Sequence, residues 1–213
     1  MKTLAIVPGA TRALPVVLTA ALAVGACGSA AAAGRDIDLT PVARLPYTEA
    51  DVRFMSGMIP HHAQALLMAG WAATHGARND VRILAERIVV GQRDEIALMQ
   101  MWLRDRNRPV PDPDPEHMMH AGMDHDLMPG MLTAAELGEL SRARGNDFDR
   151  LFLTYMIRHH EGAVTMVDEL FAAHGAAQDE DVFRLASDIY ADQTTEIDRM
   201  EQMLASLPTG GRP

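Results

Sequence analysis

The chain has one cysteine, Cys27, among 213 residues. That excludes an internal disulfide and any zinc site built on several thiolates. Lysine is equally scarce: Lys2 is the only one, and every other basic residue is arginine. Acidic residues outnumber basic ones to give a formal charge of −10, which argues against a nucleic-acid partner. Aromatic residues are only 5% of the chain. Also missing is Glu-x-x-His, the paired motif of ferritin-type di-iron sites. Three residues before His61 and His159 stand Met58 and Met156 instead. The histidine stripes also lack the clustered oxygen ligands that magnesium or calcium would need. Alanine and methionine, in contrast, are abundant, and both enter helices at little cost.

The N-terminal segment reads as an address. Lys2 and Arg12 form a basic start, and the apolar run "ALPVVLTAALAVGA" ends at Cys27. The run is short for a membrane span and is followed by small residues, as in a secretory signal. Val24-Gly25-Ala26-Cys27 resembles a bacterial lipobox, which implies cleavage before Cys27 and its lipidation. An ordinary signal peptide with an incidental cysteine is the alternative, and both imply export. Removing residues 1–26 takes away two positive charges and leaves about −12. Residues 27–47, small and broken by Pro41 and Pro46, read as a tether.

From residue 48 to 207 the pattern is helical and doubled. Thr48 with Asp51 reads as a near capping box. Phe54, Met58, His61, Ala65, Met68 and Ala72 follow as the core stripe of a bundle helix. Pro60 predicts a kink and His75-Gly76 a stop. A second helix is predicted from about Asp80 to Arg106. The order then returns as Phe152, Met156, His159, Ala163, Met166 and Leu170, with His174-Gly175 as the stop. "QRDEIALMQMWL" at Gln92–Leu103 likewise matches "QTTEIDRMEQML" at Gln193–Leu204. Two hairpins of one pattern predict an all-α four-helix bundle with a pseudo-twofold axis.

The join at 107–131 differs in kind. After "RPVPDPDPE" it carries His117, Met118, Met119, His120, Met123, His125, Met128 and Met131. The prolines and glycines place it outside the core as a loop or lid, opening into a short helix capped by Thr133 and Glu136. Clustered Met and His without cysteine suit copper capture in an oxidising compartment; the alternative is a mobile linker with incidental methionines.

The pentads "MIPHH" and "MIRHH" carry the remaining chemistry. Adjacent helix positions point about 100° apart, so His61 and His159 should face the interior and His62 and His160 its border. Met58 and Met156 lie one turn before them; Met68 and Met166 continue the stripe. Imidazole and thioether together suit copper, as Cu(I) or Cu(II). Alternatively the histidines are core residues bonded to Glu95, Glu196, Gln92 or Gln193.

"FMSGMIPHHAQALLMA" and "FLTYMIRHHEGAVTMV", each followed by a helix with Gln-x-x-Glu-Ile, resemble the bacterial DUF305 family. The resemblance covers about Tyr47–Leu207. It implies a ferritin-like four-helix bundle, an exported protein and, for some members, copper binding. It marks His61, His62, His159 and His160, with Met58, Met156, Met68 and Met166 beside them.

These readings lead to a non-enzymatic, membrane-anchored copper-binding protein on the extracytoplasmic side. A divergent ferritin-like oxidase and a metal-free partner-binding module are the alternatives. Self-association and a metallochaperone partner stay open. Histidine must be neutral to ligate, so copper affinity is expected to fall below a pH of about 6.5.

Overall fold

The computed structural model describes residues 46–113 and 128–208. The signal segment, Cys27 and most of the tether lie outside the described residues, as do His117, Met118, Met119, His120, Met123 and His125. Tyr47, read as the end of the tether, touches the helical domain. The Tyr47 ring packs edge-on against Trp102, centroids 5.3 Å apart.

Among the described residues the secondary structure is helical. The helices are α1 (Glu49–Trp71), α2 (Asn79–Asp105), α3 (Ala134–Arg142), α4 (Gly145–Ala172) and α5 (Glu180–Ser206). Both predicted capping boxes form. Thr48 and Asp51 cap α1 reciprocally, and Thr133 and Glu136 do the same for α3. Pro60 does not end α1, which continues through it as one helix. The helices stop a few residues before the glycines that the sequence suggested as stops. α1 ends at Trp71 and α4 at Ala172, and Gly76 (φ 71°) and Gly175 (φ 75°) turn the chain a few residues on.

α1 pairs with α2 and α4 with α5, giving the two expected hairpins, and α1 packs against α4. α2 and α5 touch only slightly, and α3 lies against α1 and α4. The apolar core is split into two clusters. One holds Phe54, Met58, Ile96, Met99, Trp102, Met166, Leu170 and Ile189. The other holds Met68, Leu84, Ile88, Phe148, Phe152, Met156, Met200 and Met203. The twin histidines sit at the mid-helix level where the two clusters divide.

Two fully buried carboxylates lock the hairpins together. Asp51 on α1 accepts the Ala177 N–H at 2.7 Å, in the turn between α4 and α5. Asp149 on α4 accepts the Arg78 N–H at 3.2 Å, in the turn between α1 and α2. Each hairpin thus supplies the acceptor for the other's turn. Ala177 has φ 54°, a left-handed conformation that a non-glycine residue holds only under constraint. Asp51→Ala removes a cap and orphans a buried amide. It is expected to cost about 2–4 kcal/mol, read as a lower midpoint in chemical denaturation.

Candidate metal centre

Four imidazoles form a fully buried layer across the bundle: His61, His62, His159 and His160. His61 and His159 meet at the contact of α1 and α4, ring centroids 4.0 Å apart. The second member of each pair turns away, His62 at 6.4 Å from His61 and His160 at 6.3 Å from His159, both tilted 57°. The matched values show the same local geometry repeated in the two hairpins.

His62 and His160 were expected at the border of the interior, yet both are fully buried. The reason is a carboxylate on the second helix of each hairpin. His160 Nε2 donates to Glu196 Oε2 at 2.8 Å. His62 Nε2 lies 2.7 Å from Glu95 Oε2, close enough for an ion pair but off line for a hydrogen bond. Burial raises the Asp192 carboxyl above the usual carboxylate range, and Glu95 and Glu196 add to the shift. Those three carboxylates therefore share the gap between α2 and α5. Gln92 and Gln193, one turn before the glutamates, are also buried; both amide atoms of Gln92 and the Oε1 of Gln193 lack a partner.

The inner rings are neutral. Burial, then the neighbouring His62, lowers His61 to about 3. Burial, then His61, puts His159 well below the usual histidine range. Many ring nitrogens have no hydrogen-bond partner: Nδ1 of His61, His62 and His160, and both nitrogens of His159. Buried polar atoms are normally satisfied, so this concentration is unusual for a layer that serves packing alone. Among the described residues, no group of three or more His, Cys, Asp or Glu is already arranged to hold a metal ion.

The stripe methionines divide between the two apolar clusters. Met58 and Met166 lie in one, Met156 and Met68 in the other. All four are buried. Each cluster therefore brings two of these stripe thioethers, one from each hairpin.

The end of the inter-hairpin segment is not outside the core. Residues 129–132 form a strap over the α1/α4 contact. His61 Nε2 donates to the Pro129 carbonyl at 2.9 Å. Gln64, one turn further along α1, grips Leu132 twice. Its Nε2 donates to the Leu132 carbonyl at 3.0 Å, and its Oε1 accepts the Leu132 N–H at 2.7 Å. On α4 the strap lies directly on Gly162, where a Cβ would overlap the Pro129 carbonyl and come within 2.7 Å of Gly130 Cα. Gly130 itself has φ 77°, a turn that favours glycine. Met131 and Leu132 are buried, which corrects the expectation that 107–131 stays clear of the core. Met128, half-buried, lines a cleft of about 280 Å³ with Phe54, Gly57, Pro129 and Met166.

Gln64, Gly162 and Pro129 went unnoticed in the sequence. The repeat offset holds the only hint. His61 and His159 are 98 positions apart, and at that offset Gln64 falls opposite Gly162. The repeat is broken where the strap crosses.

Comparison with known proteins agrees with this architecture. Residues 51–204 match the family model "Domain of unknown function (DUF305)". A DUF305 protein of Streptomyces coelicolor, described as a candidate secreted protein, is 30% identical. Its TM-score is 0.64, over 77% of this chain and 97% of that one. A DUF305 fragment from Deinococcus radiodurans is 36% identical with a TM-score of 0.62, over 76% and 99%. CopM in its Cu(II)-bound form is 31% identical with a TM-score of 0.59, over 73% and 95%. CopM has also been solved bound to Cu(I). Among curated proteins, uncharacterized protein L153 of Acanthamoeba polyphaga mimivirus is 34% identical over 56 residues, 26% of this chain and 37% of that protein. On the family match and the shared helical architecture, this chain belongs to the DUF305 family.

Proposed function

We propose that the chain is an extracytoplasmic copper-binding protein that sequesters or buffers the ion. The observation that carries this reading is the buried four-histidine layer with unpartnered ring nitrogens. Neutral imidazole and thioether are the donors that suit copper, and the apolar clusters on either side hold two of the stripe methionines each. The similarity to CopM, known in Cu(I)- and Cu(II)-bound forms, supports the same ion.

In this reading His61 and His159 are the inner ligands, with Met58, Met156, Met68 and Met166 available beside them. Glu95 and Glu196 orient His62 and His160 from the outer helices, in the way carboxylates orient metal-bound imidazoles. The segment from His117 to Met128 collects the ion and delivers it towards the strap. Cys27 carries a lipid anchor that keeps the protein at the membrane surface. No helix among the described residues is long and apolar enough to cross a membrane. The pH range narrows from the one expected for free histidine. With His61 lowered to about 3, protons compete at this ring only in strong acid.

Titration of Cu(I), Cu(II) and Zn(II) into the purified chain tests the reading. His61→Ala/His159→Ala is expected to weaken copper binding by about 100-fold or more while helical circular dichroism is retained. Deletion of residues 116–127 should lower the stoichiometry. If neither change reduces copper binding, the reading is wrong. If only the deletion does, the buried layer is structural.

A further inference from the structure

The strap gives the two halves of the repeat different tasks. A carbonyl oxygen can only accept, so the Pro129 contact requires the proton of neutral His61 on Nε2. Its lone pair then sits on Nδ1, which is buried and has no partner. Neither nitrogen of His159 makes a hydrogen bond of good geometry; its ring has only the nearby His61 backbone, a weaker constraint than the strap carbonyl on His61. What keeps the Pro129 carbonyl in place is the anchoring of residues 129–132. On one side Gln64, 1% exposed, clasps both backbone polar groups of Leu132. On the other, the bare backbone at Gly162 lets the strap lie against α4.

We propose that Gln64 is a positioning residue of the histidine layer. Through Leu132 and Pro129 it fixes His61 as the Nε2–H tautomer, so that His61 presents Nδ1 to a bound copper ion. The two inner rings are thereby inequivalent despite the pseudo-twofold axis. Gln64 touches no ligand itself. It acts through the backbone of a segment that Met128 immediately precedes in the sequence. The affinity consequence rests on the copper reading above; the tautomer consequence does not.

The test uses the full chain labelled with ¹⁵N-histidine. Two-bond proton–nitrogen correlation spectra of the metal-free protein report which nitrogen of His61 is protonated. The wild type is expected to show Nε2–H. Gln64→Leu, similar in size but without either hydrogen bond, should give an averaged or switched His61 tautomer and weaken copper binding about 10–100-fold. Gln64→Glu keeps the acceptor for the Leu132 N–H and is expected to fall between the two. It also serves if Gln64→Leu folds poorly. An unchanged His61 tautomer in both variants overturns the assignment. So does a shifted tautomer with wild-type copper affinity. If the wild type binds no copper at all, the copper reading fails, and the tautomer spectra still decide the role of Gln64.

Discussion

Gly162→Ala is expected to destabilise the protein by about 3 kcal/mol or more, although glycine inside a helix is normally improved by alanine. The reversal follows from what the new methyl group meets. It would overlap the Pro129 carbonyl and crowd Gly130 Cα, all backbone that no side-chain rotation can clear. The strap must lift or α4 must shift. Lifting it breaks the Pro129–His61 bond and the Gln64 clasp, and returns Met131 and Leu132 to water. Orphaned buried polar groups cost about 1–3 kcal/mol each. Gly91→Ala is the matched control. Nothing lies within 4 Å of a Cβ there, and Gly91 is in the interior of α2. It should gain up to about 1 kcal/mol. Thermal denaturation of the two variants checks the contrast, and hydrogen exchange at 129–132 checks the mechanism. Equal effects of the two substitutions would rule out the strap contact.

Mild acid should destabilise the metal-free protein. His61 is held neutral by burial, with its proton affinity lowered to about 3, while the unfolded chain titrates near 6.5. Below 6.5 the unfolded state takes up protons that the folded state refuses, so stability falls with pH. At pH 4.5 His61 alone removes about 3 kcal/mol. His159, lowered for the same reason, adds in the same direction. The Glu136 carboxyl, held down to about 2 chiefly by its bond from Arg158, loses its contribution only as pH falls through the range from its ordinary value to about 2. Asp192 works the other way, because its raised carboxyl is relieved by protonation. The net expectation is a Tm well below the pH 7 value by pH 4.5, and a flatter profile in His61→Gln. A Tm that is unchanged between those two pH values would show that the inner pair, His61 and His159, is not buried and neutral as described.

Local rules carried most of the fold into the sequence. The stripes of Phe54 to Ala72 and Phe152 to Leu170 pointed inward as their spacing required. The Thr48 and Thr133 caps formed because all their partners lie within four residues. The histidine layer was legible for the same reason, as a doubled pattern on two matched helices. His62 and His160 were placed too far out because the 100° step ignores what the next helix supplies, here Glu95 and Glu196. The strap was not legible. It is a backbone-to-helix contact between positions 68 apart, and backbone contacts leave no periodic signature. Only the mismatch of Gln64 with Gly162 betrayed it.

The exchanged acceptors at Asp51 and Asp149 bear on how such a chain can arise and fold. Neither hairpin holds the group that satisfies its own turn, so neither is a self-sufficient folding unit. A lone ancestral hairpin would have found the missing carboxylate on a second copy of itself, as an isologous pair does. Fusing two copies turns that association into an intramolecular one, independent of concentration. It also frees the halves to diverge, one keeping glutamine and the other glycine where a single connecting segment has to pass.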